Sequence, residues 1–278
     1  MDKKDRKGVK RVKMGKSLRN IIVSFVVLII IWQAAVTVSH VNPILFPSPL
    51  KVVSAFQELS VDGLKGSTSN MNLSGHIGVS MIRFIIGYLS AAVSAVVLGL
   101  LFGIFPKVFA YVNPVVQLIR PIAPVAWLPF IVLWFGIGNL PAIVIIFIAG
   151  FFPILLSTVS AVQHIDVTYL KVAENFGITK GQSILKIIFP AIFPQIMNSL
   201  RLALGTSWIF LVSGEMVGAQ SGLGFLVMDA KNCIRSDALL AIMITIGVIG
   251  LLLDTGIKYL EKWICSSFGL RVIAGEDE

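Results

Sequence analysis

Uninterrupted apolar blocks of about 20 residues recur along this chain, and a soluble fold has nowhere to put them. They run from Ile21 to His40, Ile77 to Phe105, Val112 to Phe135, Pro141 to Val162, Ile188 to Val217 and Asp237 to Tyr259. An α-helix of that length carries its satisfied backbone across ~30 Å of hydrocarbon, whereas a closed β-barrel would show shorter, alternating strands. With 56% hydrophobic and 13% charged residues, the 278-residue chain also has too little polar surface to clothe a globule. The expected fold class is all-α, a polytopic membrane protein of about six transmembrane helices. Residues 1–20 form a basic tail, 21–260 the transmembrane domain, and 261–278 a C-terminal tail.

The net charge of +9 invites a nucleic-acid reading, but its excess lies in Lys3, Lys4, Arg6, Lys7, Lys10, Arg11, Lys13, Lys16 and Arg19, just before the first apolar run. That position reads as a cytoplasmic anchor drawn to anionic membrane lipid, with no nucleic acid as partner. Ile21 to Val38 is long for the apolar region of a signal peptide and no clear small-x-small cleavage site follows, so it reads as a retained helix. With the N-terminus inside, Lys107, Lys171, Lys180, Lys186, Lys258, Lys262 and Arg271 join the tail on the cytoplasmic side, 16 of the 23 Lys and Arg. Only Lys51, Lys65, Lys231 and Arg235 fall outside. The asymmetry predicts a multi-pass protein of the cell membrane with both termini cytoplasmic. Cys233 and Cys265 then lie on opposite sides and cannot pair within one chain.

Two polar segments separate the spans. In the outer one, Val41 to Gly75, Leu50 to Leu59 is expected to form a short amphipathic helix. The inner one, His164 to Lys186, carries helix signals on both sides of Gly177. Asp166 to Phe176 precedes it, and Thr179 can cap a second helix from Lys180. The result is a helix-turn-helix elbow, a rigid element by which a separate motor could move the membrane domain. It reads Lys171-Val172-Ala173-Glu174-Asn175-Phe176-Gly177, then nine residues, then Ile187-Ile188-Phe189-Pro190.

In that position the elbow resembles the cytoplasmic "EAA" loop of ABC-importer permeases, whose pattern is Glu-Ala-Ala, three residues, Gly, nine residues, Ile, one residue, Leu, Pro. Ala173, Gly177, Ile187 and Pro190 match in register, while Lys171, Val172 and Phe189 replace Glu, Ala and Leu, and Glu174 stands three residues after the family's carboxylate. The resemblance extends through Phe46-Pro47-Ser48-Pro49, Ser80 to Gly87, Arg120 to Pro129, Leu133 to Gly138, Leu200 to Gly205, Glu215-Met216 and Gly222-Leu223-Gly224. In that order these look like the nitrate, sulfonate and taurine branch. The resemblance implies a type I-like permease fold and a likeness of task, the import of a small solute by alternating access. It also implies three kinds of partner: ATPase subunits that bind the ATP and Mg, an extracytoplasmic solute-binding protein, and a second permease copy. The ATPase contact would fall on Lys171, Val172, Ala173, Glu174, Phe176, Gly177, Ile187 and Pro190.

Charges inside spans are costly, at about 3 kcal/mol each on insertion scales, so Arg83, Arg201, Glu215 and Asp254 call for an explanation. Arg83, Arg201 or Glu215 could sit on a solute path or in a gate; the favoured alternative has them near span ends, reaching water or pairing internally. Arg120, Pro121, Pro124 and Trp127, with Pro129, make the third span irregular. Broken backbone at membrane depth survives where protein or a wet cavity satisfies it, so this stretch is a pathway candidate and static packing an equal one. Gly99-x-x-x-Gly103 and Gly214-x-x-x-Gly218 allow close helix packing, or a dimer seam.

Catalytic and metal signals are lacking. The run from Gly8 to Ser17 ends in Gly-Lys-Ser, but six residues separate its glycines where a phosphate loop needs four. His40, His76 and His164 are scattered, so neither a hydrolase nor a metal site has a constellation to stand on. The chain is expected to hold no cofactor and to be no enzyme. A self-sufficient secondary transporter or channel is the alternative class; its paired buried carboxylates and inverted repeats are not found.

Overall fold

The computed structural model describes residues 3–38, 44–165, 182 and 187–267, and the side chains among them other than those of residues 3–18, 21–22 and 265–267. Every regular element among the described residues is helical: α1 Lys3–Val38, α2 Pro49–Val61, α3 Leu73–Ile104, α4 Pro106–Ile119, a 3-10 turn Pro124–Trp127, α5 Leu128–Phe135, α6 Asn139–Gln163, α7 Phe189–Gly218, α8 Leu223–Asn232 and α9 Ser236–Ser267. Local chemistry fixes several starts. Asn72 caps α3 by accepting from the Gly75 amide at 3.1 Å, and prolines open α2 and α4, where no backbone donor is missed.

Four of these helices are long and apolar enough to cross a membrane: α3, α6, α7 and, in α9, Ser236–Ile264. The third drawn span, Val112 to Phe135, is not one helix. It is two arms, Pro106–Ile119 and Pro124–Phe135, bent by 83° at the break. Pro121 and Pro124 remove two donors at that point, so the ladder cannot continue. The basic tail and the first drawn span belong to one helix, α1. The short helix expected over Leu50 to Leu59 is present as α2, about a turn longer.

The core is α3 lying parallel to α6, with α7 against both. Their closeness follows from a row of small residues four apart on α3: Gly87, Ala91, Ala95, Gly99 and Gly103, all buried. A Cβ placed on Gly87, Gly99 or Gly103 would lie 2.8, 2.6 and 2.5 Å from Ile146, Thr158 and Val162. Gly214 and Gly218 on α7 likewise meet Ala142 and Pro141 of α6. Both glycine pairs seen in the sequence therefore pack within the chain. Polar side chains tie this apolar core by backbone acceptors: Tyr88 Oη donates to Leu200 O at 2.7 Å and Trp208 Nε1 to Ile246 O at 3.2 Å.

Candidate functional site: a buried ion pair, a broken span and the flanks of the elbow

Arg83 sits about a third of the way along α3 from its N-terminus and Glu215 one turn before the end of α7; both are buried, at 2% and 0% exposure. They pair at 2.8 Å. All five guanidinium N–H groups find acceptors. Nη1 donates to Glu215 Oε1 at 2.8 Å and Ser221 O at 2.6 Å; Nη2 donates to Asn139 Oδ1 at 2.6 Å and Ser221 Oγ at 2.9 Å; Nε donates to Asn139 Oδ1 at 2.9 Å. Glu215 also accepts from Ser80 Oγ at 2.8 Å and from the Gly224 amide at 3.0 Å. A buried charge pair is tolerated when its remaining lone pairs and protons are satisfied in this way.

Gly222 and Gly224 let the α7–α8 connection close over this pair. At Gly222, φ is +106° and an added Cβ would lie 2.3 Å from Glu215 Oε1, so only glycine fits. The connection is held from α3 as well: the Leu223 amide donates to Ser80 Oγ at 2.8 Å and the Gly222 amide to His76 Nδ1 at 3.0 Å. His76 is fully buried, stacked on Phe225, with Nε2 3.4 Å from Ser69 Oγ. Ser67 and the Thr68 amide in turn bond Asp229 of α8. The polar groups at this end of the bundle thus form one network across α3, α6, α7 and α8.

Arg201 and Asp254 form a second pair, Nε to Oδ1 at 2.8 Å and Nη2 to Oδ2 at 3.3 Å, joining α7 to α9. Their side chains are 31% and 40% exposed. Counted along their helices from Gly218 and Ser236, they lie roughly 25–27 Å below the Glu215 end, about one hydrocarbon thickness. Lys258 and Lys262 follow on α9, both exposed. Arg83 with Glu215 and Arg201 with Asp254 therefore mark opposite ends of the apolar zone.

Arg120 and Pro121 are exposed at the break between α4 and α5; Pro124 and Trp127 are partly buried. Arg120 makes no ion pair among the described residues. The indole N–H of Trp127 is buried there with no acceptor among the described residues. Around the break lie large apolar side chains that no described residue covers: Tyr111 is 86% exposed, Leu118 75%, Leu133 78% and Trp134 71%. Of the elbow residues, Lys171, Val172, Ala173, Glu174, Phe176 and Gly177 lie outside the described residues. Ile187 lies in a π turn just before α7 and Pro190 in the first turn of that helix. The elbow's flanks are clamped together, because Ile188, Ile192 and Ile196 of the α7 end pack on Ala161 and Val162 of α6, with Ile165 against them.

Four members of the ion-pair network, Asn139, Ser80, Ser221 and His76, were not reached as site residues from sequence. The signal available was slight: Ser80 three residues before Arg83, and Ser221 beside Gly222.

Residues 95–265 match the family described as "Binding-protein-dependent transport system inner membrane component". The chain is 30% identical over 236 residues to the taurine transport system permease protein of Escherichia coli, covering 85% of each. It is 33% identical over 253 residues to the nitrate import permease protein of Leptolyngbya laminosa, covering 90% of this chain and 89% of that one. Among solved structures, a chain of the MetNI methionine ABC transporter in an inward-facing conformation superposes with a TM-score of 0.53 at 18% identity, over 79% of this chain and 96% of that one.

Proposed function

The chain belongs to the family of inner membrane components of binding-protein-dependent transport systems, and from that membership we propose that it is the permease subunit of an ATP-driven importer, carrying a small solute through the cell membrane by alternating access. The observation that carries this is the likeness to curated permeases along 85–90% of the chain. The solute class is a sulfonate, taurine, nitrate or a related compound, delivered by an external binding protein. ATP and Mg belong to ATPase subunits on the cytoplasmic face, which engage the elbow of residues 164–186, and both termini lie on that side. A clamped pair of flanks supports this role, since a push on the elbow then reaches α6 and α7 together.

The second permease copy is assigned to the uncovered face around the break in the third span, where the pathway also runs. Arg120 supports this placement, because a cation with no ion pair among the described residues is tolerated at a broken span where water or another protein surface meets it. Arg83 and Arg201 serve differently: each is neutralised by its own carboxylate, so they hold helices together and leave the solute to other groups.

Coexpression with the candidate ATPase, followed by copurification and ATP hydrolysis in lipid, tests the reading. A stable complex whose ATPase activity is uncoupled or lost in Gly177→Asp is expected. Solute movement by the chain alone, indifferent to the ATPase, would overturn it.

A further inference from the structure

The Arg83 network has an open side. Between α3 and the start of α6 lies a cleft of about 280 Å³, room for about nine groups the size of a water molecule or a methylene. Its walls are Val79, Ile82, Ile86 and Ile143, and its polar end is Asn139 and Ser221, with Arg83 behind them. Ile82 and Ile86 are 61% and 50% exposed, so the cleft opens sideways along a membrane-spanning helix.

Along α6 its lining passes from polar to apolar. Asn139 is the first residue of α6, at the helix end, and Ile143 lies one turn deeper; on α3 the apolar wall runs from Val79, about one turn before Arg83, to Ile86, almost one turn beyond it. The donors left over are neutral. Arg83 has spent its five N–H groups, and the Asn139 Oδ1 that accepts two of them turns the amide nitrogen elsewhere, where it meets no acceptor among the described residues. Ser221 Oγ accepts from Arg83 Nη2 and keeps its own proton to donate. A neutral donor pair above an apolar slot matches an ester carbonyl above an acyl chain, and gives a phosphate no cation to bind.

We propose that this cleft is a phospholipid site, in which an acyl chain lies against Ile82, Ile86 and Ile143 and its ester carbonyl accepts from Asn139 or Ser221. Bound lipid would wedge the α3–α6 entrance beside the groups that hold the α7–α8 connection shut.

The test uses the full chain in nanodiscs containing a diester phosphatidylcholine with a diazirine on one acyl chain, photolysed and mapped by peptide mass spectrometry. Labelling over residues 79–86 and 139–143 should exceed that at the exposed Leu251 and Leu252 of α9 at least threefold. Excess unlabelled diester lipid should compete it away, and the dialkyl ether analogue should compete at least threefold less well. Ile143→Trp, which fills the slot, should remove the cleft labelling and leave that of α9 unchanged. Uniform labelling of cleft and α9, or equal competition by the ether lipid, would overturn the proposal. So would a disulfide between Ile82→Cys chains showing that a second copy covers the cleft. If Ile143→Trp fails to fold, the ester-against-ether comparison in the native chain still decides.

Discussion

Glu215 keeps its place at zero exposure because Arg83, Ser80 and the Gly224 amide occupy its oxygens. Removing one side of such a pair leaves an uncompensated charge, so Glu215→Ala should cost about 3–5 kcal/mol, seen as a large fall in unfolding midpoint in detergent. The double variant Arg83→Met/Glu215→Met should lose clearly less than the sum of the single losses; additive losses would mean the two do not act as a unit. Gly222→Ala forces a methyl onto the same carboxylate from a backbone only glycine adopts, and should cost at least about 2 kcal/mol. At the polar end of α9, Arg235 bonds both Glu58 and Asp237. Its hydrogen bond holds the Glu58 carboxyl below the usual 4.5. A depressed carboxylate stabilises the fold above its unfolded value and loses that contribution as pH falls through the folded one. Wild type should therefore exceed Glu58→Gln in stability near neutral pH, by about 1 kcal/mol or less for a part-buried surface pair, with the gap closing below about pH 4. The charges themselves were legible in the sequence, but their pairing was not, because Arg83 and Glu215 are 132 residues apart and hydropathy is blind to such partners.

Among the elements, the α3–α6 seam was half legible. Gly99 and Gly103 stood out as a small-residue pair, whereas Gly87, Ala91 and Ala95 continue the same row with alanines that a glycine pattern passes over. Gly103→Leu should push α3 from α6 at Val162 and cost at least about 1–3 kcal/mol, read as lost thermal stability with the exchange of α3 amides increased. The prolines of the third span announced irregular backbone but not its sense; an 83° turn depends on what packs against each arm, and α5 finds α6 while α4 finds little. Ile234, at φ +56° and 70% exposed, ends α8 where glycine is the favoured residue. Its amide and that of Arg235 close the turn onto Lys231 O and Ala230 O. Ile234→Gly should relieve roughly 1 kcal/mol of backbone strain and raise the unfolding midpoint, a gain that a packed isoleucine would not permit.

On the scale of the whole molecule, the order of apolar blocks was enough to place the described spans in their sequence, because hydrocarbon thickness dictates their length. The apolar zone is bounded by the Arg83–Glu215 pair at one end and the Arg201–Asp254 pair at the other, which explains how a chain so poor in charge can retain these four inside its helices. The face around the broken span was less legible, since an apolar side chain turned toward lipid and one turned toward a second copy look alike in sequence. If a second copy covers that face, Leu133→Cys should form a disulfide-linked dimer or lose accessibility to a membrane-permeant thiol reagent in the assembled importer; full accessibility there would place lipid on it instead.

The row of small residues on α3 also bears on how force travels. Where two helices touch through their backbones, few side chains remain to swing between rotamers, and sliding one past the other would drive Ile146, Thr158 and Val162 into main chain. The pair is then a beam and not a bearing. Its stiffness confines any large rearrangement to tilting of the beam as one body, with compliance left to the bent arms of the third span. A displacement at the elbow end would thus arrive at the far end as a lever's rotation, multiplied by length and undiminished by slip.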